Sequence, residues 1–185
     1  LSHQTQFALQ NLTLLLDNLL LWSRLQQDKI RIEPKELFVD KLVYKALKLF
    51  SPLTDQKEIS IEVGEEIEEE VLFGDEYMLE FIIRNLLHNA IKFTPKNGKI
   101  KITATRDKEY VTVAISDSGV GMNKSMIHQI LNKGEGFTRE GTENEKGSGI
   151  GLIICKDFVE KNGGSLRIES KRGTTVSFQL PLPKS

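Results

Sequence analysis

What most constrains the fold of this chain is the order in which two hydrophobic periods follow one another. Segments that alternate every second residue are interspersed with segments of helical spacing, and no regular βαβ repeat connects them. Helical spacing runs over residues 38–50 through Leu42, Val43, Ala46, Leu47 and Phe50, and Pro52 is expected to close that helix. A stronger helix is predicted over 75–94, capped by Asp75 after Gly74 and ended by Pro95 and the turn Asn97-Gly98. Shorter helices are expected at 123–131 and 149–161, the latter stopped by Asn162-Gly163-Gly164. Strand alternation marks 58–63, 71–73, 99–105 and 110–116, with a last hairpin of 165–170 and 174–180. A short strand is also expected at 29–32, ahead of the break at Pro34. The acidic stretch 65–70 reads as a solvated connector, and 132–148 as a mobile loop without apolar periodicity. This mixture predicts an α+β fold, a layer of helices on a mixed, mostly antiparallel sheet.

The first 30 residues read as one helix, roughly 45 Å long. Ala8, Leu12, Leu15, Leu19 and Trp22 alternate at steps of four and three, and Leu9, Leu14, Leu16, Leu20, Leu21 and Leu25 widen the stripe. So broad an apolar face needs helices from elsewhere: a hairpin partner, a second protomer, or both. Thr13, Asp17 and Asn18 interrupt it, and no apolar run is long enough to cross a bilayer. A net charge of −1 gives no reason to expect nucleic acid or direct contact with an acidic membrane. The single cysteine, Cys155, excludes an internal disulfide.

Three features carry chemistry. On the apolar helix, Asn85, Asn89 and Lys92 recur at i, i+4 and i+7 and share one narrow face. They are either the solvent face or a set suited to Mg²⁺ and phosphate, a neutral oxygen ligand for the ion and an ammonium for the charge. Asp117-Ser118-Gly119-Val120-Gly121 follows a strand directly. It is either a plain turn or a carboxylate placed to accept an exocyclic amine, with glycines that let backbone approach a flat ring. Gly147-Ser148-Gly149-Ile150-Gly151-Leu152 opens a helix, where free N–H groups attract phosphate, although a hinge would also use such glycines. Neither the dinucleotide fingerprint nor the P-loop fits it.

Taken together and in this order, the features resemble the ATP-binding domain of sensor histidine kinases. That domain belongs to the wider superfamily of DNA gyrase, heat-shock chaperone and mismatch-repair ATPases. Residues 85–94 are similar to the family's N box, Asp117 to Gly121 to its G1 box, and Gly136-Phe137-Thr138 to its F box. Gly147 to Leu152 looks like the G2 box, and Gly173-Thr174-Thr175 like a G3 end. The likeness covers about residues 30 to 183 and implies a two-layer sandwich of the Bergerat type. It implies ATP and Mg²⁺ as ligands: Asn89 on the ion with Asn85 nearby, Lys92 toward the phosphates, Phe93 against adenine, and Asp117 on its amine. Gly119 and Gly121 of the G1 box and Thr175 of the G3-like end are also implied nucleotide-binding residues; the G2 glycines Gly147, Gly149 and Gly151, with Ser148, Ile150 and Leu152 among them, hold the phosphates; Phe137 lies in the ATP lid.

The hydrolysing relatives carry a glutamate base where this chain has Asn85, which accepts no proton at neutral pH. The resemblance therefore implies phosphoryl transfer to a separate acceptor. No histidine here suits that role: His88 and His128 read as structural, and His3 lacks the acidic neighbour of the family's H box. Residues 1–30 resemble the second helix of the dimerisation hairpin and 31–185 the catalytic domain, so the acceptor is expected on a helix outside this chain. A response-regulator receiver domain is the implied downstream partner, a homodimer through the first helix is possible, and the cytoplasmic side of a membrane sensor is the implied setting. A regulatory nucleotide-binding module and an ATPase or chaperone relative are the competing readings.

Overall fold

The computed structural model describes residues 3–26, 31–133 and 149–183. Helix α1 (His3–Gln26) comes first, then strand β1 (Pro34–Phe38), helix α2 (Val39–Gln56), strand β2 (Ser60–Val63) and β3 (Val71–Asp75). Helix α3 (Glu76–Phe93), strands β4 (Lys99–Arg106) and β5 (Tyr110–Asp117) and helix α4 (Lys124–His128) follow. Helix α5 (Gly151–Lys161) and the hairpin β6 (Ser165–Ser170) and β7 (Thr174–Pro181) close the chain.

Five strands form one sheet in the order β2-β4-β5-β7-β6, parallel only between β2 and β4. Alternation decides its two faces. Val111, Val113 and Ile115 of β5 and Val176, Phe178 and Leu180 of β7 point into the core, while Thr112, Ala114, Ser116, Thr175, Ser177 and Gln179 line the opposite face. Helices α2, α3 and α5 cover the first face, with Phe50, Phe81 and Phe158 fully buried between them and the sheet. Phe81 and Phe158 meet edge to face at 5.2 Å between centroids. A separate ribbon pairs β1 with β3 from Pro34↔Asp75 to Phe38↔Val71. The α+β expectation and the mostly antiparallel sheet hold.

Several boundaries differ from the sequence reading. The strand expected at 29–32 is replaced by one that begins at Pro34, a first-of-strand position where a missing N–H costs little; residues 29 and 30 lie outside the described residues. Pro52 does not end α2, which runs four residues further to Gln56. The carbonyl that a proline leaves without its N–H partner is that of Lys48, and the Ser51 hydroxyl donates to it at 3.1 Å. The acidic connector contains a 3₁₀ turn, Glu65–Glu68, fixed by the fully buried Ile67. The helix expected at 123–131 gives way after His128 to a π-helical turn at Gln129–Lys133.

Among the described side chains, helix α1 rests on the start of α5 and on α3 through the stretch 17–21. Leu21 is 3% exposed, Asn18 is buried, and Asp17 lies 3.6 Å from Arg84. Leu9, Leu12, Leu16, Leu19 and Leu20 of the same helix remain exposed. The side chains of Ala8, Leu14, Trp22 and Leu25 lie outside the described residues.

Candidate functional site

Helix α3 begins where sequence places it. Asp75 Oδ1 accepts from the Met78 N–H at 3.0 Å, and Oδ2 accepts from the Glu33 N–H at 2.9 Å. Its polar stripe is not a solvent face. Asn85 and Lys92 are each 6% exposed, buried polar groups in an otherwise apolar helix, whereas Asn89 is half-buried. The Asn85 amide donates to the Phe81 carbonyl at 3.0 Å, and its Oδ1 faces the first residue of α5: a side chain at Gly151 would come within 2.8 Å of it. Lys92 lies with its ammonium 5.0 Å from the Phe93 ring centroid.

The turn after β5 is held by the carboxylate of Asp117. Its Oδ1 accepts the Gly119 N–H at 2.8 Å and the Thr174 N–H at 3.2 Å, so the group is fixed to two strands' ends. Gly119 is required by close approach, since a Cβ there would meet the Phe93 carbonyl oxygen at 2.3 Å. The Val120 N–H donates to that same carbonyl at 3.3 Å and ties the turn to the end of α3. Gly121 (φ 72°) and Gly173 (φ 79°) both occupy the left-handed region, and a Cβ at Gly173 would stand 1.9 Å from the Asp117 carbonyl. Ser170, which sequence reasoning passed over, locks the two turns together: its hydroxyl accepts from the Met122 N–H at 2.8 Å and donates to the Gly173 carbonyl at 2.7 Å.

The start of α5 offers free donors. Ile150 is its N-cap and supplies no side-chain hydrogen bond, the first turn holds no acidic residue, and Gly149 has φ 72°. Among the described residues the first-turn N–H groups meet no acceptor, and the positive end of the helix dipole there suits an anion. Leu152 contributes backbone only, because its side chain is packed in the core. Phe137, Gly147 and Ser148 lie outside the described residues, as do Gly136 and Thr138.

Helix α3 thus joins all three features. Its middle meets the start of α5 at Asn85 and Gly151, and its last turn carries the Asp117 turn on the Phe93 carbonyl. Thr175 is not brought to the same place. It opposes Ser116 across the β5–β7 ladder, and the two hydroxyls bond at 2.8 Å on the sheet face away from the helices. Thr174, which opposes Asp117 and is buried, stands on the Asp117 side. The signal for it was available in the period-2 alternation counted back from Val176.

The Asn89 side chain makes no hydrogen bond among the described residues, which leaves its amide oxygen for a hard cation. One neutral oxygen ligand suits an Mg²⁺ that takes its other oxygens from phosphate and water. An all-protein metal site is a different matter: among the described residues no group of three His, Cys, Asp or Glu side chains is placed to hold an ion.

Comparison with known proteins gives the family and the fold. Residues 74–184 match the family model described as histidine kinase-, DNA gyrase B-, and HSP90-like ATPase. The chain belongs to that ATPase family. Among curated proteins it is 30% identical over 177 residues to the alginate biosynthesis sensor protein KinB of Pseudomonas aeruginosa, covering 95% of this chain and 29% of KinB. It is 28% identical to the sensor histidine kinase RcsC of Escherichia coli, covering 91% of this chain and 18% of RcsC. The chain therefore spans less than a third of these relatives' length. Among solved structures, the nucleotide-free catalytic domain of histidine kinase ThkA superposes with a TM-score of 0.68 at 27% identity, over 80% of this chain and 97% of that domain. Full-length ShkA in complex with AMPPNP gives a TM-score of 0.76 at 25% identity, over 92% of this chain and 36% of ShkA.

Proposed function

We propose that this chain is the ATP-binding catalytic part of a sensor histidine kinase. Residues 31–185 would form the catalytic domain and 1–30 the second helix of the dimerisation hairpin. The observation that carries the reading is α3 itself, which joins a pinned carboxylate at one end to an uncapped helix N-terminus beside its middle. Adenine would lie at the Asp117 end, and the phosphates at the start of α5 with Lys92 toward them. Asn89 would hold Mg²⁺, which supplies charge neutralisation on the phosphate oxygens. Phosphoryl transfer passes through a loose transition state in which the protein's work is positioning and electrostatics, so no base is needed on α3. Asn85 occupies the place of a hydrolase's base and is committed to the α3–α5 contact, which favours transfer over hydrolysis.

The acceptor would be a histidine on a hairpin helix outside these residues, and the phosphoryl group would pass on to a response-regulator receiver domain. The exposed leucines of α1 suit a homodimer in which that helix contributes to a bundle. No described helix is long and apolar enough to cross a membrane. The same reading places the chain in the cytoplasmic part of a membrane-anchored sensor.

Calorimetric titration with AMPPNP and Mg²⁺ tests the reading. Asp117→Asn is expected to abolish binding, and Asn89→Ala to remove its dependence on Mg²⁺. A parent chain that takes up no nucleotide, or an Asp117→Asn variant that binds as well as the parent, refutes the nucleotide site. Phosphohistidine formed on an acceptor hairpin supplied in trans then separates a kinase from a module that only binds.

A further inference from the structure

The C-terminus of any α-helix leaves four carbonyls without intrahelical partners, and a buried end must find donors for them elsewhere. Helix α3 ends in the interior, and its last four carbonyls can each be followed. Ala90 takes both the N–H and the hydroxyl of Thr94, at 3.0 and 2.6 Å. Phe93 takes the Val120 N–H. The two between them, Ile91 and Lys92, are taken by one side chain from a distant part of the sequence: Lys57 Nζ donates to them at 2.9 and 3.2 Å.

Lys57 is 2% exposed, and lysine is among the residues least often buried. It is the residue that follows α2, and its own carbonyl accepts from the Asn97 N–H at 2.8 Å, across the turn that follows α3. Its ammonium lies at the negative end of the α3 dipole, where a cation is favoured. The peptide units it holds are those of Ile91 and Lys92, and they set the direction in which the Lys92 and Phe93 side chains leave the helix.

We infer that Lys57 is a positioning residue of the nucleotide site: it clamps the last turn of α3 and so orients Lys92, Phe93 and, through the Phe93 carbonyl, the Asp117–Gly121 turn. The inference rests on the nucleotide-site reading above. It assigns to the α2–β2 turn, where sequence shows only a charged Lys-Glu pair, a part in ligand affinity.

The test compares the full chain with Lys57→Met, Lys57→Arg and Leu42→Ala. Methionine keeps the length and loses the donors; Leu42→Ala weakens the buried face of α2 without touching the clamp. With AMPPNP and Mg²⁺, Lys57→Met is expected to remain folded by circular dichroism and to lose about tenfold or more in affinity. Lys57→Arg should recover most of it, and Leu42→Ala should stay within about twofold of the parent. A folded Lys57→Met that binds as the parent does, or a Leu42→Ala that loses as much, overturns the inference. Amide hydrogen exchange without nucleotide gives an independent reading. Exchange across residues 92–98 and 119–121 should quicken in Lys57→Met and not in Leu42→Ala, and unchanged exchange overturns the clamp even if the parent proves unable to bind. Failure of the parent to bind, with quickened exchange in the variant, would count against the nucleotide site instead.

Discussion

Asp117 and Cys155 show how differently two ionisable residues can be used within one core. Asp117 sits at a strand end with its carboxylate held by two backbone N–H groups, an arrangement that fixes direction and leaves the residue half-exposed. Cys155 is fully buried on α5; burial pushes its thiol well above the ordinary range, against a smaller opposite pull from Arg84. A thiol whose value is raised in the folded chain stays protonated there while the unfolded chain ionises. Its contribution is therefore complete below the unfolded value and is lost as pH rises above it. The parent is expected to lose about 1.4 kcal/mol more stability than Cys155→Ala for each pH unit above about 8.5. Urea titrations at two alkaline pH values measure this, and parallel losses in both proteins would contradict it.

At the scale of elements, the ends of helices decide more than their middles. Asp75 closes the first turn of α3 and also holds the Glu33 N–H, while its own N–H donates to Asn162 Oδ1 at 2.8 Å. Asp75→Ala is expected to cost about 1–2 kcal/mol, with Asp75→Ser recovering part of it. A urea midpoint that falls at unchanged slope would show this, and an unchanged midpoint would exclude the cap as a stabilising feature. The cap was legible because Asp75 follows Gly74 and precedes a long apolar run. Pro52 misled because the compensation at Lys48 depends on the rotamer of Ser51, which no spacing encodes. Lys57 was illegible for a related reason: its partners are carbonyls, and carbonyls leave no mark in a sequence.

For the whole molecule, the order of periods was enough to give an α+β fold and its mostly antiparallel sheet. The site was legible as three separate motifs; that α3 joins them became visible only from the packing. Thr174 and Thr175 stand side by side in sequence; the alternation counted back from Val176 separates them, and the register gives Thr174 its place opposite Asp117. Helix α1 carries an apolar face that exceeds its contacts among the described residues, with Leu12 and Leu19 both more than half exposed. Sedimentation of the chain is expected to show self-association at micromolar concentration that Leu12→Glu with Leu19→Glu abolishes. A monomeric parent would remove the homodimer.

The frame around the candidate site is largely main chain: the Phe93 carbonyl on the Val120 N–H, the Lys99 carbonyl on the Ser118 N–H, and Gly173 against the Asp117 carbonyl. Such joints are indifferent to most side chains outside a few glycines. A lineage built on them can exchange the greater part of its residues and keep the cradle's shape, which is how chains sharing 27% of their residues still superpose over most of this fold.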